Sequence, residues 1–423
     1  MILNNQNALP QESETVNLNY LSTLKSFCLE LADKPLPLFE TTQANATDLK
    51  GIEEAAQKLE AFSHILILGT GGSSLGAQVL AQINGWGTQA GSDNAPQLYF
   101  LDNLSTRSLK KLMEKNPVAE TAYLVVSKSG ETPETLLQLS CVLSYLAAQQ
   151  AAPDKHIVTL TEDKPSSLTR ISQKLGLMTL PHNQNIGGRF SVLTNVGLLP
   201  ARLAGVDIVR VRQGAAQALD AFLTHDDAAQ NMPLSGAALQ IAHAQAGRNI
   251  SVLMPYDERL EKLGLWYRQL WAESLGKKGR GTTPVNALGP VDQHSQLQLY
   301  LDGPDDKFYT LIETQAAPQN MALVANQGLE NIAELSWLHN RSIDELVEAE
   351  CQASFQALVN QKRPVRLLSL GTLNEEAIGA LLTNLMLETI CAAILLGVDA
   401  FDQPAVEQGK IIARQLMEET RKS

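Results

Sequence analysis

The chain has 423 residues, a net charge of −12 and 44% hydrophobic residues, which is enough to bury a large core in two or three domains. The negative charge argues against a nucleic-acid partner, because such a protein needs a basic face to meet phosphates. A membrane partner is not expected either. The N-terminus lacks the basic and apolar regions of a secretory signal, and the longest apolar run, residues 390–398, is too short to span a bilayer. We therefore expect a cytoplasmic protein.

The cysteines, Cys28, Cys141, Cys351 and Cys391, show neither Cys-x-x-Cys spacing nor a nearby pair of histidines. This spacing argues against a structural zinc site and against a disulfide framework. We expect four buried, reduced thiols and no bound metal.

Short apolar runs alternate with helical patterns after an N-terminal helical segment, residues 1–50. Continuous apolar runs are typical of parallel strands with both faces buried, and they occur at residues 65–68, 98–101, 122–126, 156–160 and 177–180. A helix predicted over residues 51–62 precedes the first run, and further helices are predicted between the runs. The pattern predicts an α/β domain over residues 51–210, with a parallel sheet flanked by helices.

Two loops rich in glycine and hydroxyl groups follow the first and third of these runs. The first, residues 69–76, contains Gly72 and Ser73, and the second, residues 127–134, contains Ser127, Lys128, Ser129 and Thr132. Free amides at a helix start bind phosphate, and hydroxyls and a lysine can add to that binding. Taken alone, the first loop could equally be a tight turn between a strand and a helix. The second could be a helix start that is capped by its own hydroxyl side chains. Strand ends in one parallel sheet face the same crevice, so we expect a shared phosphate site.

An arginine follows two glycines near the end of this first half. Gly187 and Gly188 allow backbone conformations that can orient the Arg189 guanidinium towards a ligand. A helix predicted over residues 192–201 would fix that orientation. A surface arginine after a flexible turn is the alternative.

The alternation restarts after a linking helix predicted over residues 208–226, and it predicts a second α/β domain over residues 230–400. Its strands are predicted at residues 250–254, 307–312 and 365–370, and its helices at residues 236–246, 258–274, 328–338, 343–360 and 374–396. The domain boundary is expected in the linking helix or just before Pro233. Residues 401–423 are predicted to form a last helix.

Three charged or titratable residues of the second half are candidate catalytic residues. Glu273 lies one turn from a helix end at Gly276, where its carboxylate faces either a cleft or solvent. His294 precedes a segment that fits either a strand or a short helix. Lys410 lies about two turns into the last helix, where a solvated lysine is the alternative.

Six segments occur in an order that resembles the glucose-6-phosphate isomerase family, a compact bacterial type: residues 71–76, 127–132, 187–191, 273–277, 293–295 and 403–410. They cover the chain from about residue 65 to 412. The resemblance implies two sugar-isomerase (SIS) domains, each a three-layer α/β/α arrangement around a parallel sheet.

The resemblance also implies an isomerase of glucose 6-phosphate and fructose 6-phosphate, which opens the sugar ring and moves a proton through a cis-enediol. Glu273 would be the base, Arg189 would stabilise the enediolate, and His294 and Lys410 would assist ring opening. Substrate binding would fall to Gly72, Ser73, Ser127, Lys128, Ser129, Thr132 and Gln403. This chemistry requires no cofactor, neither metal nor nucleotide. The family further suggests a homodimer in which His294 reaches the neighbouring site.

Two positions depart from the family pattern. Leu275 stands where relatives usually have asparagine, and Glu131 would place an anion near the phosphate unless it turns outward. The sequence therefore leaves open an isomerase of another phosphosugar, such as mannose 6-phosphate or an amino-sugar phosphate. A non-catalytic SIS module that binds phosphosugars is a second alternative. A nicotinamide enzyme is a remote one, because the glycine spacing does not match the dinucleotide fingerprint.

Overall fold

The computed structural model describes residues 2–4, 14–42, 48–85, 95–224, 227, 230–315, 324, 327–328 and 332–419. Within these residues the strands are β1 (Ile2–Asn4), β2 (His64–Leu68), β3 (Gln97–Leu101), β4 (Thr121–Val126), β5 (Ile157–Glu162), β6 (Met178–His182), β7 (Ile250–Pro255), β8 (Thr283–Asn286), β9 (Lys307–Gln315) and β10 (Val365–Thr372). The helices are α1 (Glu14–Asp33), α2 (Pro37–Glu40), α3 (Asp48–Leu59), α4 (Leu75–Gln82), α5 (Thr106–Lys115), α6 (Pro133–Ala148), α7 (Pro153–His156), α8 (Ser167–Leu175), α9 (Asn195–Leu203), α10 (Ile208–Thr224), α11 (Met232–Gln245), α12 (Glu261–Leu275), α13 (Leu297–Asp302), α14 (Ile343–Asn360), α15 (Glu375–Leu396) and α16 (Glu407–Glu419).

The strands form two sheets. The first has the order β3-β2-β4-β5-β6 and is parallel throughout. The second has the order β1-β10-β9-β7-β8, and it is parallel except for β1, which pairs antiparallel with β10. The predicted α/β class, with two parallel sheets flanked by helices, is confirmed.

Strand β2 shows why its sequence is a continuous apolar run. Ile65 and Ile67 pack into one hydrophobic cluster, whereas Leu66 and Leu68 pack into another on the opposite face. Helices cover both faces, so the strand has no solvent-facing side on which polar residues would alternate.

The second sheet contains two strands that the sequence did not reveal, β1 and β8. Strand β1 has three residues, too few for a readable periodicity. Strand β8 contains Pro284 and lies between the strands predicted at residues 250–254 and 307–312. Among the described strands it pairs with β7 alone, at the sheet edge, where a residue without an N–H is tolerated.

Helix α15 is the central helix of the molecule, packed against α10, α11 and α12. Among the described residues it is the one helix long and apolar enough to cross a bilayer, and 78% of its most apolar window is buried inside the protein. It crosses α10 at two glycines. A Cβ on Gly214 would lie 1.9 Å from the Glu376 carbonyl oxygen, and one on Gly379 would lie 1.9 Å from the Val211 carbonyl oxygen, so the two backbones touch directly.

Two further predictions differ from the structure. The helix predicted over residues 328–338 is a 3-10 helix at Ala333–Leu338, and residues 329–331 lie outside the described part. The prediction of four buried thiols is wrong for Cys141, because α6 presents that residue on its exposed face. Burial raises the pKa of the Cys28 thiol to about 11.

Candidate active site

The two hydroxyl-rich loops lie side by side at one edge of the first sheet. The chain leaves β2 through the 3-10 helix Gly71–Ser73 into α4, and it leaves β4 through residues 127–132 into α6. Strands β2 and β4 are parallel neighbours, so their carboxyl ends bring both helix starts together. Backbone amides at such helix starts suit a phosphate group.

The second loop is held in shape by its own side chains. The buried Ser127 hydroxyl lies 2.9 Å from the Thr132 hydroxyl across the loop. The Ser129 hydroxyl accepts a hydrogen bond from the Glu131 amide at 3.2 Å. Gly130 has a φ of +66°, and a Cβ there would lie 2.1 Å from the Ser166 hydroxyl oxygen. Only glycine allows this turn to close.

Glu131 turns away from the loop. Its carboxylate accepts hydrogen bonds from the amide of Ser167, at 2.6 Å, and from the Ser167 hydroxyl, at 2.7 Å. The hydrogen bonds from the side chain and the backbone of Ser167 lower the pKa of Glu131. The carboxylate therefore stabilises the start of α8 instead of placing an anion over the phosphate loop.

The Lys128 side chain contacts two groups outside its own loop. Its ammonium donates to the Gln184 carbonyl oxygen at 3.2 Å and lies 3.5 Å from a carboxylate oxygen of the buried Glu162. The cation is therefore held in place by a counter-charge before any substrate arrives.

The first loop packs directly on the turn that carries Arg189. A Cβ on Gly72 would lie only 2.3 Å from the carbonyl carbon of Gly188. The Ser191 hydroxyl lies between the two segments, 2.7 Å from the Gly188 carbonyl oxygen and 3.2 Å from the Gly72 carbonyl oxygen. Ser73, in the same 3-10 helix as Gly72, is half-buried. The sequence placed these two segments in one site, and the structure brings them into contact.

The Arg189 guanidinium is 2% exposed and has fixed acceptors on every nitrogen. Its Nε donates to the Ser274 hydroxyl at 2.8 Å, and its Nη1 donates to the Gln403 amide oxygen at 2.7 Å. The Nη2 donates to the carbonyl oxygens of Ala400 and Asp402. Burial lowers the pKa of Arg189 and the nearby Glu273 opposes this effect, although an arginine stays protonated in any case.

Glu273 lies in the last turn of α12, where its carboxylate is 30% exposed. One carboxylate oxygen is 3.5 Å from Nη1 of Arg189, and the other accepts a hydrogen bond from the Gln269 side chain at 3.0 Å. A carboxylate that is oriented from both sides and partly shielded from water is suited to act as a base.

Gln269 is a site residue that the sequence reasoning missed. Its side-chain nitrogen is 3.0 Å from where a Cβ on Gly71 would lie, so it also touches the first loop. The sequence does contain a clue, because Gln269 and Glu273 are four residues apart and share one helix face.

Leu275 does not face this cluster. Its side chain is fully buried in the hydrophobic core, whereas the preceding Ser274 holds Arg189. An apolar residue at this position therefore removes no donor from the Arg189–Glu273 pair.

His294 and Lys410 are not brought to the cluster within this chain. His294 follows the 3-10 helix Val291–Gln293 and precedes the short helix α13. Its exposed ring makes no hydrogen bond or ion pair with the residues that the structure describes. Lys410 is exposed on α16 and pairs with Glu407 at 2.7 Å.

The sequence profile of the family described as phosphoglucose isomerase matches residues 45–423. A glucose-6-phosphate isomerase of Rubrobacter xylanophilus is 37% identical over 83% of this chain and 81% of its own length. One of Thermus thermophilus is 34% identical over 87% of this chain and 86% of its own length.

Two solved structures share the fold. A hypothetical protein from Thermus thermophilus superimposes with a TM-score of 0.86 and 31% identity, covering 98% of this chain and 99% of that one. A glucose-6-phosphate isomerase from Chlamydia trachomatis has a TM-score of 0.75 at 20% identity, covering 89% of this chain and 74% of that one, and so supports the fold alone.

Proposed function

The chain belongs to the phosphoglucose isomerase family, and on that premise we propose that it interconverts glucose 6-phosphate and fructose 6-phosphate. The observation that carries the proposal is the contact between a half-shielded carboxylate, Glu273, and a buried guanidinium, Arg189. Isomerisation between an aldose and a ketose needs this combination, a base for a carbon-bound proton and a cation for the oxygen that becomes charged.

In the proposed reaction the sugar phosphate binds at the two helix starts, with the hydroxyls of Ser73, Ser127, Ser129 and Thr132 and the ammonium of Lys128 around the phosphate. Glu273 then moves a proton between C2 and C1 through a cis-enediol. Arg189 meets the negative charge that develops on oxygen, a contribution of ~3–4 kcal/mol if it acts like other preorganised donors. Gln403, which orients Arg189, would line the sugar.

Ring opening needs a proton taken from one oxygen and given to another, and we assign it to His294 and Lys410. Both lie on exposed surface in a single chain. Helix α16 also exposes four apolar side chains by 47–67%: Ile411, Ile412, Leu416 and Met417. A homodimer would cover this face and let His294 reach the neighbouring site.

The isomerase proposal is tested by incubating the protein with fructose 6-phosphate in deuterated water. We expect glucose 6-phosphate to form with deuterium at C2, and we expect Glu273→Gln to lose that activity. Glu114→Gln, at a surface glutamate on α5, is the matched control and should behave as wild type. No turnover by the wild type would refute the function. Faster turnover of mannose 6-phosphate would favour the phosphosugar alternative.

The dimer is tested by mixing two inactive variants, Glu273→Gln and His294→Ala. If His294 crosses to the neighbouring site, each mixed dimer has one site with both residues intact, and activity returns. A mixture that stays inactive although native mass measurements detect mixed dimers would contradict the shared site.

A further inference from the structure

The orientation of Arg189 depends on a segment that comes from far along the chain. Residues 399–403, the 399–403 segment, supply both Nη2 acceptors through the carbonyl oxygens of Ala400 and Asp402. They also supply the nearer of the two Nη1 acceptors through the side chain of Gln403, the other being Glu273. If this segment moved, Arg189 would keep Ser274 on Nε, but both of its terminal nitrogens would lose these partners.

Few hydrogen bonds fix the orientation of the 399–403 segment. It connects α15 to the exposed α16. Ala400 is buried in the hydrophobic core, whereas Phe401, Asp402 and Gln403 are exposed. Its internal hydrogen bond, from the Phe401 amide to the Asp399 carboxylate, is local and does not join it to the body of the protein. A ring contact between Phe190 and Phe401, with centroids 5.2 Å apart, is apolar and sets no hydrogen-bonding direction.

The side chain of Lys277 joins this segment to the chain just beyond α12. The ammonium of Lys277 donates to the Asp399 carbonyl oxygen and lies 2.8 Å from a carboxylate oxygen of Asp402. The Lys277 side chain is only 10% exposed, whereas Asp402 is 52% exposed, so the buried member of the pair is the one that lies two residues beyond the end of α12. Lys277 lies four residues after Glu273, just beyond α12, so it joins the segment to the chain next to the helix that carries the base.

We propose that Lys277 and Asp402 are positioning residues, whose ion pair fixes the 399–403 segment so that its acceptors orient Arg189 for charge developing in the transition state. The inference rests on the proposed isomerase function. An ammonium that contacts two groups of one segment restricts its position more than a single bond does. The pair therefore acts through Arg189 and not on the substrate.

The test compares Lys277→Met and Asp402→Asn with wild type in the isomerase assay. We expect kcat to fall on the order of tenfold in Lys277→Met, since small displacements of a catalytic group are costly, while KM stays close to the wild-type value. Asp402→Asn should lower kcat less, because Lys277 still donates a hydrogen bond to the Asp399 carbonyl oxygen. The double variant should be no slower than Lys277→Met, because both changes remove one interaction.

Arg248→Met is the matched control, because Arg248 forms an ion pair with Asp305 of similar burial, 20% and 44% exposed. It should keep kcat at a comparable melting temperature. Hydrogen exchange of the amides of the 399–403 segment gives a readout that does not use activity, and it should accelerate in Lys277→Met but not in Arg248→Met. An unchanged kcat, a loss confined to KM, or unchanged exchange would overturn the inference. An inactive wild type would instead overturn the proposed function and leave the exchange result to decide the role of Lys277.

Discussion

Replacing Gly72 by alanine should separate the first phosphate loop from the turn that carries Arg189. The added Cβ would lie 2.3 Å from the Gly188 carbonyl carbon, whereas ordinary contacts begin at 3.4 Å, so the two segments must move apart by about 1.1 Å. A displacement of this size between a binding loop and a catalytic group can reduce kcat/KM by about 10²-fold. The overpacking itself should lower the free energy of unfolding by about 1–3 kcal/mol.

The assay is kcat/KM for fructose 6-phosphate together with the melting temperature. Gly188→Ala is the control from the other side of the same contact. A Cβ there would lie 3.6 Å from the Cα of Gly72, an ordinary distance, so we expect activity close to that of wild type. If Gly72→Ala kept the kcat/KM of wild type, the two segments would not be coupled as the packing implies.

Three further outcomes are expected. Glu388→Gln should lose about 3–5 kcal/mol of stability in urea unfolding, because it leaves the fully buried Arg366 without its counter-charge; a loss below about 1 kcal/mol would contradict this. Glu131→Gln should lower the melting temperature at neutral pH. Because the folded pKa of Glu131 lies below its ordinary value of 4.5, the stabilisation is full above pH 4.5 and is lost as the pH falls through the folded value, so the two proteins should converge in acid. A thiol reagent should label Cys141 first, and equal labelling of all four cysteines without denaturant would argue against the described burial.

The sequence predicted the parts of the site that depend on local pattern. Ser127 and Thr132 follow a continuous apolar run and precede a helix, and this order alone places them at a strand end. The place of Glu273 one turn before a glycine made it a candidate that could face a cleft or solvent, and its role as the base was implied by the family resemblance. The alternation of strands and helices likewise predicted the two sheets.

What the sequence could not show depends on tertiary contacts. Gln403 orients Arg189 from 214 positions away, and no periodicity links residues so far apart. No sequence pattern joins Lys277 to its partner Asp402, which lies beyond α15. The outward turn of Glu131 required the position of α8, which the sequence alone does not give. Family resemblance named Gln403 but not the contact through which it acts.

Strand β1 has a consequence for aggregation. Its residues Ile2, Leu3 and Asn4 pair with Ser369, Leu368 and Leu367 of β10 and cover what would otherwise be an open edge of a mostly parallel sheet. An uncovered apolar edge is a template for pairing with other chains. Since β10 is made hundreds of residues after β1, β1 has no partner until late in synthesis, and the edge of β10 is covered only if β1 is free to pair with it. A fusion or truncation that displaces these three residues would therefore be expected to reduce the soluble yield before it affects the active site.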